Sequence, residues 1–363
     1  MKLLMAGGGT GGHLFPIIAL ADEFRRRVKG VEIVFVGGRG GLEESVVPRH
    51  GYELRLLNVS GLKRKKGLEF VKALARAAGS TARAVALLRK ERPHGVIGSG
   101  SYSSGPVVLA AAMLGIKTAI LEQNAVPGLT NRLLGRFADR IYIAFDEAAR
   151  SFPRERTRLT GNPVRREVLE SMGKRVDVRG ERFTLLVFGG SQGATSINAA
   201  FLDATEYLTD IWSRLRVVHQ TGSEGYEAAA AAYRRKGLKV ELHRFIEDMG
   251  EAYASADLVV CRAGATSIAE IMALGLPSIL VPYPFASDEH QEVNARYLES
   301  RGAAVMLRND ELTGSTLAAA IRRFYADPVE LRQVRHRVRE LARPAASVAI
   351  VDDYMKMFMS NGL

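Results

Sequence analysis

Two glycine-rich segments of one design, Gly7-Gly8-Gly9-Thr10-Gly11-Gly12-His13 and Gly189-Gly190-Ser191-Gln192-Gly193-Ala194, lie in the two halves of this chain. Each follows a short apolar run and opens a stretch with helical spacing. In α/β proteins a turn without side chains lets backbone N–H groups and a helix N-terminus approach phosphate or sugar oxygens, so such turns sit at strand ends. A chain that carries two of them is expected to hold two nucleotide-binding-type domains. The length agrees, because 363 residues exceeds one ordinary domain and 47% hydrophobic residues suffice for two cores.

Short β-branched or apolar runs alternate with longer Ala- and Leu-rich segments. In the first half the runs are Glu32–Val36, Gly95–Ile97, Lys117–Leu121 and Arg140–Ile143. In the second they are Thr184–Phe188, Leu215–His219, Lys239–His243, Leu258–Cys261, Ser278–Val281 and Ala304–Leu307. This rhythm predicts an α/β fold of parallel sheets wrapped by helices. Between the halves, Ser151 to Arg182 collects Pro153, Gly161, Pro163, Gly173 and many charges, the composition of a hinge. The boundary is placed near Gly161, giving domains 1–160 and 161–342. A last helix, 343–363, presents Val348, Val351, Tyr354, Met355 and Phe358 on one face, which is expected to dock back on the first domain.

The only cysteine, Cys261, lies in a strand-like run and has no partner for an internal disulfide. The first residues read as a strand leading into the glycine turn rather than as a signal peptide. No run of about 18 apolar residues is present to span a bilayer. These features predict a cytoplasmic chain, and the formal charge of +12 predicts acidic company: nucleic acid, anionic lipid or phosphorylated substrates. Nucleic acid is disfavoured, since no helix-turn-helix, zinc or aromatic-rich ribonucleoprotein pattern appears and aromatic residues are only 7%.

The first turn contains G-x-G-x-x-G at Gly7, Gly9 and Gly12, a loose pattern for dinucleotide binding. The full fingerprint also needs an acid at the end of the second strand to hold the ribose. Here Ile33-Val34-Phe35-Val36 runs into Gly37-Gly38-Arg39-Gly40 with no carboxylate, so only an NADP site using Arg39 would remain. His13 closes the turn at a helix N-terminus, where the dipole favours a neutral imidazole suited to accept a proton. The other histidines lack ligand spacing and no D-x-D pair is present, so neither a metal nor another cofactor is expected.

The second half offers a pocket in pieces. Ser191 could grip a diphosphate or cap a helix. Phe245 to Met249 follows a strand, and Arg262-Ala263-Gly264 leads into Ala265 to Glu270 after another. Tyr283 to Asn294 forms a third polar strand end.

Five motifs in series now carry a resemblance. Gly8 to His13, Glu122-Gln123-Asn124 with Gly128-Leu129-Thr130-Asn131, Thr160 to Arg165, Gly189 to Ala194, and Gly264 to Glu270 resemble the MurG family of bacterial transferases. That family moves N-acetylglucosamine (GlcNAc) from UDP-GlcNAc to undecaprenyl-diphospho-N-acetylmuramoyl(MurNAc)-pentapeptide. The resemblance implies a GT-B fold, two Rossmann-like doubly wound parallel-sheet domains facing across a cleft, with a metal-independent, inverting mechanism. It implies that Thr10, Gly11, Gly12 and Asn124 contact the donor from the first domain. From the second, Arg165 and Ser191 would meet the diphosphate and Ile246 the uracil through its main chain. Ala265, Thr266, Ser267, Ile268, Ala269 and Glu270 would hold the ribose side, and Gln291 the sugar. His13 is the first candidate base and Glu122 the second.

Two positions depart from the family pattern: Leu121 stands where a histidine is expected, and Ser101 where a glycine is expected in the turn Gly98 to Pro106. The resemblance also gives the charge excess a partner. Lys63, Arg64, Lys65 and Lys66 precede a segment with Phe70, Val71, Leu74 and Ala78 on one helical face, a composition suited to docking peripherally on the anionic cytoplasmic face of a membrane. A GT-B enzyme with another acceptor, or a UDP-GlcNAc 2-epimerase, is the nearest alternative.

Overall fold

A computed structural model describes the chain except residues 58–67, 174–181, 191, 287–288 and 360–363, and gives the backbone alone for 68–77. The chain divides into two units, Met1–Arg165 with Pro344–Leu363, and Arg166–Arg343.

The first unit is built on seven parallel strands: β1 (Lys2–Ala6), β2 (Glu32–Gly38), β3 (Glu53–Leu57), β4 (Gly95–Gly98), β5 (Lys117–Glu122), β6 (Arg140–Ile143) and β7 (Thr157–Leu159). Their order in the sheet is β3-β2-β1-β4-β5-β6-β7. The second unit has six: β8 (Phe183–Phe188), β9 (Leu215–Gln220), β10 (Glu241–His243), β11 (Leu258–Arg262), β12 (Ser278–Val281) and β13 (Val305–Met306), ordered β10-β9-β8-β11-β12-β13. In both sheets the strand order reverses beside the first strand of the unit. Open α/β sheets bind ligands outside the carboxyl ends of the strands at such a switch point. Both glycine-rich segments leave there, one after β1 and one after β8.

Alternation along the central strands builds two cores in the first unit. Leu3, Met5, Phe35, Ile97 and Leu121 face the helix Gly11–Arg27, which buries Leu14, Ile17, Ile18, Ala21 and Phe24. Leu4, Ala6, Val34, Val36, Val96 and Ile120 face the other way, onto Val107, Val108 and Ala111 of the helix Ser104–Met113. With both faces covered, these strands read as unbroken apolar runs.

The last helix, Ala346–Met359, completes the first core. Its buried stripe is Ala346, Ile350, Val351, Tyr354 and Met357, while Val348 and Met355 are only half-buried. The Tyr354 ring meets Phe24 edge-on at 5.8 Å between centroids, and its hydroxyl donates to the Lys117 carbonyl at 3.1 Å. Gly95 makes room for it, because a Cβ there would lie 2.2 Å from that hydroxyl. Asp353 accepts from Arg140 Nε and from the Tyr142 hydroxyl, each at 3.0 Å.

Two edge strands were not legible beforehand. β3 interleaves charge with leucine (Glu53-Leu54-Arg55-Leu56), and β7 is three residues inside the stretch read as a hinge. That stretch is partly structured, with β7 paired to β6 and a short helix at Arg166–Glu170. β10 and β13 are shorter than the apolar runs suggested.

In the second unit His219 of β9 is wholly buried. Its Nε2 lies 3.2 Å from Asn198 Oδ1, and its Nδ1 accepts from the Tyr233 hydroxyl at 2.8 Å. Asn198 is fixed in that orientation by donating Nδ2 to the Thr221 carbonyl. Burial pushes the imidazole down to a pKa of about 3, against an ordinary 6.5. Between these values the unfolded chain binds a proton that the folded chain refuses, so stability is full above about pH 6.5 and falls as the pH drops toward 3. The loss from this one group approaches about 1.4 kcal/mol per pH unit in that window. A His219→Gln variant should show a flatter dependence of melting temperature on pH between 6 and 4, as read by thermal unfolding.

Candidate active site

At the end of β1 the N–H of Gly7 donates to the Val36 carbonyl at 3.2 Å, and the chain turns through Gly9 at φ 81° into the helix Gly11–Arg27. Thr10 and Gly12 are exposed and Gly11 is half-buried. His13 is the third residue of this helix, and its Nδ1 lies 2.7 Å from the Ser99 carbonyl at the end of β4. A carbonyl can only accept, so Nδ1 carries the proton and the neutral ring has its lone pair on Nε2. The same carbonyl accepts from Gln123 Nε2 at 3.2 Å. The turn packs this close to β4 because Gly7 has no side chain: a Cβ there would stand 2.4 Å from Ser99 Oγ.

Glu122, the last residue of β5, is 3% exposed. Its Oε1 accepts from the N–H of Asn124 at 3.0 Å and from Asn124 Nδ2 at 3.4 Å. Its Oε2 accepts from the N–H of Gly128 at 3.2 Å and from Asn131 Nδ2 at 2.9 Å. Burial raises its pKa against the pull of these donors. With both oxygens engaged, this carboxylate shapes the loop that carries Asn124. The two base candidates therefore differ: Glu122 is occupied by the loop, whereas His13 is held in the tautomer a base requires. Ser101, the departure in the β4 turn, is buried and shares a hydrogen bond with Ser103 Oγ at 2.9 Å, while its carbonyl accepts from Ser104 Oγ at 2.7 Å.

Arg165 stands at the boundary between the two units. It belongs to the first unit, and its guanidinium lies 5.3 Å from the centroid of the Phe15 ring, a cation–π stack on the helix of His13.

In the second unit, Ser191 lies outside the described residues, as do Lys63, Arg64, Lys65 and Lys66 in the first, and the side chains of Phe70, Val71 and Leu74 are likewise not described. Around Ser191 the turn is tight. Gly193, at φ 81°, abuts the end of β9 so closely that a Cβ would lie 2.0 Å from the Thr221 carbonyl. Gln220, the last residue of β9, donates Nε2 to the Gly190 carbonyl at 2.9 Å and accepts the N–H of Ile246 at 2.7 Å. That N–H is thus spent, and Ile246 has its carbonyl to offer a base edge.

The helix Ala265–Leu274 starts after β11 with no side-chain cap at Gly264. Ala265, Ile268 and Ala269 are buried while Thr266 and Ser267 are half-buried, so what this end can offer a ligand is mainly its backbone amides. Glu270 is 2% exposed and its Oε2 accepts from the Tyr253 hydroxyl at 3.1 Å. Gln291 opens the helix His290–Glu299 and accepts the N–H of Tyr283 at 2.9 Å. These groups follow β8, β10, β11 and β12, so all gather at one carboxyl edge of the second sheet.

Sequence reasoning passed over three residues. Gln220 joins the glycine turn to Ile246. Arg262, the last residue of β11, donates Nη2 to Ser196 Oγ at 2.7 Å and Nη1 to the Pro282 carbonyl at 3.0 Å and Asn309 Oδ1 at 3.1 Å. No carboxylate pairs with it among the described residues, and burial pulls its pKa down. An arginine at the last position of a strand, directly before a glycine turn, was the available signal. The third is Glu43, buried against the first turn.

The glycosyltransferase family 28 N-terminal domain matches residues 3–143, and the family's C-terminal domain matches 184–348. A relative from Syntrophus aciditrophicus (strain SB), named UDP-N-acetylglucosamine--N-acetylmuramyl-(pentapeptide) pyrophosphoryl-undecaprenol N-acetylglucosamine transferase, is 46% identical over 98% of this chain and 99% of its own. A protein of the same name from Myxococcus xanthus (strain DK1622) is 47% identical over 97% of this chain and 92% of its own. Among solved structures, MurG of Acinetobacter baumannii superposes with a TM-score of 0.80 at 29% identity, covering 98% of this chain and 99% of that one. A UDP-N-acetylglucosamine 2-epimerase reaches a TM-score of 0.70 at 14% identity over the whole of this chain and 97% of its own, a likeness of fold alone. The fold is of the GT-B class, with two Rossmann-like parallel-sheet domains in one chain. The chain belongs to glycosyltransferase family 28, in the MurG branch that these full-length relatives represent.

Proposed function

We propose that this chain is an inverting hexosyltransferase of peptidoglycan synthesis, moving GlcNAc from UDP-GlcNAc to the 4-hydroxyl of the MurNAc residue in undecaprenyl-diphospho-MurNAc-pentapeptide. The observation that carries this reading is end-to-end identity of 46% to a transferase of that name. The geometry supplies residues for each step.

His13 Nε2 takes the proton of the acceptor 4-hydroxyl as that oxygen attacks C1 of the donor sugar from the face opposite UDP. The C1–oxygen bond to UDP breaks, and the electron pair leaves with the diphosphate. The Arg262 guanidinium, half-buried without a carboxylate partner among the described residues, meets the charge that develops there, together with Ser191 and the N-terminal amides of the helix Ala265–Leu274. Arg262 adds to the role that the resemblance gave to Arg165. The Ile246 carbonyl reads the uracil, Glu270, steadied by Tyr253, holds the ribose, and Gln291 meets the sugar. Thr10, Gly11, Gly12 and Asn124 are the donor-contact residues that the resemblance gives to the first unit. UDP release on mixing the protein with UDP-GlcNAc and a short-chain lipid-linked muramoyl-pentapeptide tests the reading. Conversion of UDP-GlcNAc to its C2 epimer without acceptor would overturn it.

A lipid-anchored acceptor requires the enzyme to work at a membrane surface. Among the described residues no helix is long and apolar enough to cross a membrane. The short helix Leu129–Leu134 and the turn after it leave Leu129, Leu133 and Phe137 about half exposed, interleaved with exposed Arg132 and Arg136. This surface suits peripheral docking on an anionic cytoplasmic leaflet, a role the sequence also suggests for the basic run Lys63, Arg64, Lys65 and Lys66. Sedimentation with vesicles should rise with anionic lipid content and fall with salt. A Leu133→Asp, Phe137→Asp double variant should lose vesicle binding yet retain turnover of a short-chain soluble acceptor. Binding that ignores both lipid charge and these substitutions would count against the docking surface.

A further inference from the structure

We propose that Glu43 is an internal anion filling the phosphate-binding position of the first glycine turn, closing that position to a ligand phosphate and fixing the backbone from which the His13 helix starts. The catalytic part of this inference rests on the reading of His13 as the base; the anion part does not.

In a dinucleotide-binding unit the amides of the first βα turn hold a pyrophosphate, and an acid at the end of the second strand holds the ribose. Here the segment after β2 sends its acid into the turn itself. Glu43 is 1% exposed. Its Oε2 accepts the N–H of Gly9 at 2.7 Å, and its Oε1 accepts the N–H of Gly38 at 2.8 Å. Both distances are those of charge-assisted bonds.

Three further glycines give the carboxylate its space. A Cβ on Gly8 would lie 2.2 Å from its Cδ, one on Gly37 2.4 Å from its Cγ, and one on Gly41 2.3 Å from an oxygen. No lysine, arginine or histidine pairs with Glu43 among the described residues, so its charge is met by backbone N–H groups and by the N-terminus of the 17-residue helix Gly11–Arg27. These are the groups that would otherwise attract phosphate.

The second unit is built differently at the corresponding place. Its second strand, β9, ends in Gln220, a neutral amide that binds a carbonyl of the turn and brings no negative charge. One turn is thus self-occupied by a carboxylate, and among the described residues the other is not. A ligand phosphate at the first unit is repelled from the Gly9 turn and must be held elsewhere on that sheet edge, where the serine-rich loop after β4 offers hydroxyls.

Glu43→Gln and Glu43→Ala in the full chain test this. Gln keeps the shape but sets an amide NH₂ against a backbone N–H. Glu43→Gln should lower kcat by about 10²-fold, the cost of displacing a reacting group by about 1 Å, with the KM for UDP-GlcNAc within about twofold. Glu43→Ala empties the cradle. Sodium formate or inorganic phosphate, against sodium chloride at equal ionic strength, should then raise its melting temperature in a concentration-dependent way and leave the parent protein unmoved.

Formate should also restore part of the kcat of Glu43→Ala. Wild-type turnover in Glu43→Gln would overturn the positioning role. A Glu43→Ala protein as indifferent to formate and phosphate as its parent would overturn the anion site. If Glu43→Ala does not fold in chloride, its refolding in formate decides instead: no recovery of folded protein overturns the site. His13→Ala assayed in parallel separates the readings, since retained turnover there removes the base but leaves the melting response to decide on Glu43.

Discussion

Replacing His13 with alanine is expected to lower kcat by roughly 10²- to 10⁴-fold, the usual contribution of a positioned general base. The KM for UDP-GlcNAc should stay within about twofold, because the proposed donor contacts lie chiefly in the second unit. Loss of the side chain removes the proton acceptor and also breaks the bond from Nδ1 to the Ser99 carbonyl. His13→Gln separates these effects, since its amide can still donate to that carbonyl but cannot take a proton. It should be nearly as slow as His13→Ala. The acid limb of the pH–rate profile should vanish in both, because a base that must be neutral loses activity as it protonates. Near-normal turnover in His13→Gln would show that the ring positions the loop and does not carry the proton.

Replacing Tyr354 with alanine is expected to destabilise the first unit by about 3–5 kcal/mol, the range for large-to-small changes of a wholly buried aromatic side chain. The ring fills space between Phe24 and Phe358, and the loss leaves a void above Gly95, which has no side chain to collapse into it. It also strands the Lys117 carbonyl. Tyr354→Phe removes only the hydrogen bond and should cost about 1 kcal/mol. Chemical denaturation read by a first-unit probe measures both. Equal effects of the two substitutions would mean that the ring packing contributes little.

The sequence reading reached the central strands because both of their faces are buried, which makes them unbroken apolar runs such as Leu3–Ala6. It missed β3 and β7, where one edge is open and charge is tolerated, as at Glu53, Arg55 and Arg158. The site was legible where function demands glycine, since a turn such as Gly7–Gly12 is conspicuous in any chain. It was illegible where function depends on a long side chain reaching across the fold. Glu43, Gln220 and Arg262 each act through bonds to residues that only the sheet order brings near. Glu122 was visible, but nothing in Glu-Gln-Asn announces that the loop beyond will fold back and supply four donors to one carboxylate.

The return of the last helix to the first core has a consequence for how the molecule is made. The first unit is discontinuous, closed by Ala346–Met359 only after Arg166–Arg343 has been laid between. Domains generally fold in order as they emerge from the ribosome, but here the N-terminal one waits, with the apolar face of Leu14, Ile17 and Phe24 uncovered, until the C-terminal one has been synthesised. A released chain truncated before residue 346 would therefore hold a complete second unit and an incomplete first. Separate expression of residues 1–165 would need the final helix supplied as a second peptide.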